Sequence, residues 1–259
     1  MRLYALTVPE PDAELVADRC WQAGAEGIWE SAGGEGLVTL RVGVEEADVD
    51  AFEAALAALG PVDVTATDLV ELATRTVTLP AAGGPVQLEV PPTVFGDGLH
   101  PTTSTCLDLL ADLVGPGTAL LDVGCGSGAL SVVAARAGAV VTAIDVDPVA
   151  VSATIANAAA NGVDVDATTT PLSDLSGTWD VVVANISARA VLELSDELWR
   201  VCAGTLVVSG ILAERWDSVR ERLGGTVLRV HDLDGWVTAS VTRSSETGSH
   251  LVTRAERRP

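Results

Sequence analysis

Leu121-Asp122-Val123-Gly124-Cys125-Gly126-Ser127-Gly128 is the stretch on which the reading of this chain turns. Ala119 to Val123 is apolar and strand-length, and Ser127 to Ala137 has helical spacing. Between them lie Gly124 and Gly126, with Gly128 in the expected first helical turn. Glycines at such a joint permit positive φ and let the backbone approach a ligand closely. The helix N-terminus that follows offers unpaired N–H groups to an anionic group. Asp145 ends the next apolar run, 21 residues beyond Gly124. A carboxylate at about that separation is placed to bind ribose hydroxyls. The pattern predicts a cradle for a nucleoside-containing cofactor.

Working outward, helix-like and strand-like runs alternate. Helices are expected over 103–114, 127–137, 148–161, 188–202 and 213–223. Strands are expected over 119–123, 140–144, 163–168, 181–184 and 205–209. The last two runs, 226–231 and 236–242, are strands separated only by a turn. Alternating β and α implies a parallel sheet covered on both faces. The closing hairpin adds one antiparallel strand, so the fold class is α/β with a seven-stranded Rossmann-like sheet.

Residues 1–72 read differently. Strand, helix, strand, strand, helix, strand is the order of a ferredoxin-like α+β unit. Residues 73–92 read as a linker, with turn chemistry at Ala81-Ala82-Gly83-Gly84-Pro85 between two short β-like runs. The main α/β domain is expected over 93–243 and a loose polar tail over 244–259.

The chain holds 36 acidic residues against 15 basic ones, all of them Arg, for a net charge of −21. That balance argues against a phosphate-tracking nucleic-acid surface. It suits a basic partner, whose approach a negative field would steer. No run reaches the length of a membrane helix, and the first residues lack the pattern of a signal peptide. A soluble, cytoplasmic protein is expected. Cys20, Cys106, Cys125 and Cys202 have neither metal-ligand nor redox spacing and read as buried small apolar residues.

Gly124-x-Gly126-x-x-Ala129 also fits a dinucleotide fingerprint, so the glycines alone leave two cofactors open. Two features favour S-adenosylmethionine. In methyltransferases a carboxylate at the place of Asp122 faces the methionine amino group, whereas in a nicotinamide enzyme that place adjoins a pyrophosphate. The closing hairpin is the usual methyltransferase ending.

Three further segments carry a family resemblance: Phe95-Gly96-Asp97-Gly98-Leu99-His100-Pro101-Thr102-Thr103, Val183-Ala184-Asn185-Ile186, and Val208-Ser209-Gly210-Ile211-Leu212. With the cradle they closely resemble the PrmA family, class I methyltransferases of ribosomal large-subunit protein eleven. The resemblance covers residues 94–243 well and the leading domain more weakly. It implies that Thr103, Gly124, Asp145 and Asn185 contact S-adenosylmethionine, to which the reading of the cradle adds Asp122 and Gly126. It also implies that Asn185 positions the incoming amine and that the leading domain recognises a basic ribosomal protein. His100 is a candidate base, with loop packing as the alternative, and Phe95 either walls the pocket or anchors the loop. The chain departs from the family in a joint without Trp, in Asp97 and Leu99, and in Ser187-Ala188-Arg189. These departures leave open a related methyltransferase acting on another protein or on a small-molecule nucleophile.

Overall fold

The computed structural model describes residues 2–34, 36–44, 48–58, 63–68, 74–91, 94–96 and 98–243. Asp97 and the expected tail over 244–259 lie outside the described residues. The chain divides into two compact units, residues 1–74 and 75–259.

In the first unit, β1 (Arg2–Pro9), α1 (Ala13–Gln22), β2 (Ala25–Gly34), β3 (Leu37–Val44), α2 (Val49–Ala57) and β4 (Asp63–Asp68) follow in that order. The sheet runs β2-β3-β1-β4 with every pair antiparallel, the arrangement expected of the ferredoxin-like unit. Alternation explains its core. Tyr4, Leu6 and Val8 of β1 and Leu40, Val42 and Val44 of β3 point to one face, where they meet Val16, Cys20, Phe52 and Leu56 of the helices. Tyr4 and Phe52 pack with ring centroids 5.0 Å apart, and the Tyr4 hydroxyl donates to Glu53 at 2.8 Å.

The second unit begins with β5 (Arg75–Leu79) and β6 (Val86–Val90) and continues with α3 (Pro101–Leu113), β7 (Ala119–Val123), α4 (Ala129–Arg136), β8 (Val140–Ile144), α5 (Pro148–Ala160) and β9 (Val165–Thr168). It ends with β10 (Trp179–Asn185), α6 (Ala188–Val201), β11 (Cys202–Leu212), α7 (Trp216–Leu223), β12 (Thr226–Leu233) and β13 (Trp236–Thr242). The sheet order is β12-β13-β11-β10-β7-β8-β9. Only β13 runs against its neighbours, inserted between β11 and β12. Strand residues alternate between two helical layers. Leu121, Val182, Ala184, Leu206 and Val208 face the α6 and α7 side, while Leu120, Val181, Val183 and Val207 face α3 and α4.

Two sequence expectations need correction. From Arg75, the segment read as a linker belongs to the second unit. Its apolar residues Leu79, Val86, Leu88 and Val90 share a core with Ala129, Val132 and Ala158, which holds the β5–β6 hairpin on α4 and α5. Amide side chains strengthen the attachment. Asn157 of α5 and Asn161, the residue that ends it four positions on, pair with the backbone of Glu89 and Gln87 as strand partners would. Second, α4 begins at Ala129 and not at Ser127, because Gly128 is left-handed at φ +82° and serves as its N-cap.

Candidate active site

The crevice lies where the connections leave the sheet in opposite directions, at the carboxyl ends of β7 and β10. Open α/β sheets bind their ligands there. From β7 the chain turns through the cradle into α4 and returns as β8 on one side, while β10 lies on the other.

The cradle backbone is fully specified. Gly124 and Cys125 N–H groups donate to the Ile144 carbonyl at 2.8 and 3.1 Å. Gly124 adopts φ +79°, and a Cβ there would lie 2.5 Å from Ile186 Cγ2. Gly126 adopts φ +55°, and a Cβ there would lie 2.5 Å from the Phe95 carbonyl oxygen. Both positions therefore exclude side chains and leave backbone facing the crevice. Ser127 is tied on all sides. Its N–H donates to the Phe95 carbonyl at 2.9 Å, its hydroxyl to the Gly96 carbonyl, and its carbonyl accepts from Asn157 at 2.8 Å. The Thr154 hydroxyl closes the loop from α5, donating to the Gly126 carbonyl at 3.0 Å.

Asp145 sits half-buried at the end of β8. One carboxylate oxygen accepts from the Gly126 N–H at 2.9 Å and the other from the Asp147 N–H at 3.0 Å. This fixes the carboxylate beside the cradle with lone pairs left for hydroxyl donors. Asp147 in turn caps α5 through the Val149 N–H, with Pro148 at the first helical position.

Asp122 is the electrostatic centre of the site. It is buried on the α3 and α4 side of β7, and one oxygen accepts from the Ser131 hydroxyl at 2.7 Å. Its other oxygen has no partner among the described residues. Burial pushes this carboxyl up to about 7. The Ser131 hydroxyl works against that rise and the charge of Asp145 adds to it. An unpaired carboxylate oxygen at this depth is costly unless a cation or donor arrives to meet it. Asn185 shows the same incompleteness. Its amide nitrogen donates to Thr103 Oγ1 at 3.4 Å, while its buried Oδ1 has no partner among the described residues.

Thr103 is buried in the first turn of α3, and His100 caps that helix. His100 Nδ1 accepts from the Thr102 N–H at 3.3 Å and lies 2.8 Å from the Thr102 hydroxyl. The His100 ring stacks edge-on against Phe95 and Trp236, with centroids 5.6 and 5.3 Å away. Leu99 beside it is 68% exposed. Ser187, a departure from the family pattern, caps α6 by accepting from the Ala190 N–H.

The crevice thus gathers Thr103, Asp122, Gly124, Gly126, Asp145 and Asn185 around two unpaired acceptors. Sequence reasoning missed the residues that hold them: Ser131, Thr154, Asn157, Ser209, Thr238 and Trp236. The i, i+4 pair Asn157 and Asn161 in an otherwise Ala-rich helix was the one available signal. All four cysteines are buried and free, and burial pushes the Cys106 and Cys125 thiols up to about 12. Among the described residues no cluster of three or more His, Cys, Asp or Glu is placed to hold a metal. No helix among them is long and apolar enough to cross a membrane.

Comparison with known proteins agrees with this geometry. Residues 30–244 match the family model of ribosomal protein L11 methyltransferase (PrmA). The ribosomal protein L11 methyltransferase of Symbiobacterium thermophilum is 41% identical over 160 residues, 59% of this chain and 52% of that protein. That of Geobacter sulfurreducens is 45% identical over 137 residues, 52% of this chain and 46% of that protein. The chain spans about half the length of the curated relatives it matches. A crystal structure of ribosomal protein L11 methylase from Lactobacillus delbrueckii subsp. bulgaricus superposes with a TM-score of 0.55 at 28% identity, over 57% of this chain and 81% of that one. With its glycine cradle, its paired acceptors and a family match over most of its length, the chain belongs to the ribosomal protein L11 methyltransferase (PrmA) family.

Proposed function

We propose that this protein transfers methyl groups from S-adenosylmethionine to amino groups of a basic protein, with ribosomal protein L11 as the substrate. The observation that carries the reading is the pair of buried oxygens, Asp122 Oδ1 and Asn185 Oδ1, left without a partner among the described residues at the ends of neighbouring strands beside a cradle closed to side chains. A dinucleotide pyrophosphate would be repelled by Asp122, whereas the ammonium of a methionine moiety satisfies it. The residues present therefore fit the cofactor. Asp122 would take its amino group, Gly124 and Gly126 its close backbone approach, and Asp145 its ribose hydroxyls, with Thr103 and Asn185 at the transfer end.

Bound there, the cofactor supplies an electrophilic methyl group on a sulfonium. The chain's own part is alignment. Thr103 accepts from the Asn185 amide nitrogen, which leaves Asn185 Oδ1 to accept an N–H of the incoming amine and point its lone pair forward. That amine must be neutral, and a Lys side chain is ordinarily charged below about 10.4. Exclusion of water by the apolar walls, Phe95 and Trp236 among them, favours the neutral form. His100 is assigned a positioning role. Its Nδ1 is committed as the α3 cap, so that nitrogen does not take the proton.

The substrate class follows from charge as well as family. Residues 1–74 carry 15 acidic side chains against three Arg, a field that attracts a basic protein and repels nucleic-acid phosphate. The test is incubation with methyl-labelled cofactor and purified ribosomal proteins, read by intact mass. Label on L11, lost in Asn185→Ala, is expected. Absence of label on every ribosomal protein overturns the substrate. Unchanged cofactor affinity in Asp145→Ala overturns the cradle itself.

A further inference from the structure

A buried chain of three hydroxyls, none of them assigned to substrate or cofactor, lies behind the transfer end of the site. Ser209 of β11 and Thr238 of β13 are fully buried and Thr105 of α3 nearly so. Thr238 Oγ1 lies 2.5 Å from Ser209 Oγ and 2.6 Å from Thr105 Oγ1. Thr105 donates to the Pro101 carbonyl at 2.8 Å. Each hydroxyl has one proton, which fixes the direction: Ser209 donates to Thr238, Thr238 to Thr105, and Thr105 to the backbone at the start of α3.

The hydroxyls meet because strand alternation turns Ser209 and Thr238 toward α3, the side that Val207 also faces, while Val208, Val237 and Ala239 face the other layer. The register of β11 against β13 shifts only beyond this point, between Val208 and Ile211, and returns Ile211 to the side of Val208. On its other edge Ser209 stands opposite Asn185 in the β10–β11 ladder. A closed ring results. Asn185 bonds Thr103, Thr103 belongs to the helical turn held by Thr105, Thr105 is bonded through Thr238 to Ser209, and Ser209 is paired to Asn185 along the sheet. Ser209 Oγ also lies 3.4 Å from the Thr102 carbonyl, one residue before Thr103.

We infer that Thr238 is a positioning residue for methyl transfer, the link through which the antiparallel strand β13 sets the separation of Thr103 and Asn185. The inference rests on the reading of those two residues as the transfer end of the site. Apolar packing alone would hold α3 on the sheet but would let its first turn rotate or slide. Three directed bonds at fixed positions prevent this, and a shift of about 1 Å in an aligning group costs up to about a hundredfold in rate.

The test uses the full chain with Thr238→Val, Thr238→Ser and Ser209→Ala. It measures kcat and KM for L11, cofactor affinity by calorimetry, and amide exchange of residues 99–107. Thr238→Val is expected to lower kcat about tenfold or more with KM for L11 unchanged, and to speed exchange across 99–107. Thr238→Ser, which restores the hydroxyl, should recover both. Ser209→Ala should reproduce the exchange effect even if the Val variant folds poorly. Wild-type kcat and wild-type exchange in Thr238→Val would overturn the inference, as would failure of Ser to rescue. If the wild-type chain binds cofactor but does not label L11, the substrate reading fails alone, and exchange over 99–107 still decides the role of Thr238.

Discussion

Asp122→Asn is expected to stabilise the cofactor-free protein at alkaline pH and, in the same molecule, to weaken its grip on the cofactor. The Asp122 carboxyl is buried with one oxygen unpaired among the described residues, and burial lifts it from 3.8 to about 7. Between those values the folded protein holds a proton that the unfolded chain has released. The stability this group contributes is therefore full below about 3.8 and is lost as pH rises through about 7. At about 1.4 kcal/mol for each pH unit, the whole loss is about 4 kcal/mol. Asn never ionises, so the difference in unfolding free energy between variant and wild type isolates this one carboxyl from the other acidic groups. The amide leaves one buried polar group unsatisfied at every pH, costing about 1–3 kcal/mol. By pH 5.5 the wild type has already lost about half of this contribution, so the variant should be close to wild type there and more stable by about 1–3 kcal/mol at pH 8.5. With a sequence pI near 4.2, urea titrations are best run from pH 5.5 upward, which keeps about 2 kcal/mol of the change in range. Calorimetry on the same samples should show cofactor binding weakened about 10- to 100-fold, the worth of one charge-assisted hydrogen bond. A difference that does not move with pH, together with unchanged affinity, would refute this account of Asp122.

Gly126→Ala places a methyl group against the Phe95 carbonyl; because the obstacle is backbone, a loss of about 2–4 kcal/mol in urea unfolding is expected together with loss of cofactor binding. Asn157→Ala removes the amide that joins β6 to the Ser127 carbonyl. Thermal unfolding should begin several degrees lower and cofactor affinity should fall, although Asn157 contacts no proposed ligand atom. Asp145→Ala should keep the native circular dichroism spectrum while cofactor affinity drops about tenfold or more, since the hydroxyl acceptors are lost but the strand is not. Thr238→Val adds the kinetic test already described.

The elements of the second unit were legible because their signals are local. Val181-Val182-Val183-Ala184 reads as a buried strand between turn residues, and the strand found there extends past the apolar run at both ends, to Trp179 and Asn185. The spacing from Gly124 to Asp145 measures one strand–helix–strand repeat, so the crevice at the ends of β7 and β8 was readable before any contact was known. Boundaries failed where one backbone angle decides them. Ser127 has the composition of a helix start, but three left-handed glycines push the first helical residue to Ala129. The hairpin over 75–90 failed for a different reason. Its turn and its β-like runs were visible, yet what attaches it is an apolar core shared with α4 and α5 and a pair of amides about 70 positions away, on α5 and at its end.

The polar shell behind the site was the least legible part, and the cause is physical. Thr105, Ser131, Thr154, Ser209 and Thr238 are buried hydroxyl residues in runs of apolar neighbours. In a helix or strand such a residue has the size and spacing of Ala or Val, so periodicity counts it as core. Its hydroxyl becomes meaningful only when a partner is found, and here the partners lie as many as 133 positions apart. The unpaired atoms have the opposite property. Asp122 stands in the run Leu120 to Val123 where an apolar residue would pack at less cost, and its second oxygen is conspicuous because none of the described residues meets it. The proposed cofactor site therefore splits into a part that sequence exposes, the charges and glycines of the crevice, and a part it conceals, the hydroxyls and amides that hold them. Substitutions in the concealed part should leave the ligand contacts intact and still change the rate, which is why Thr238 is a sharper probe of the architecture than any residue in the cradle.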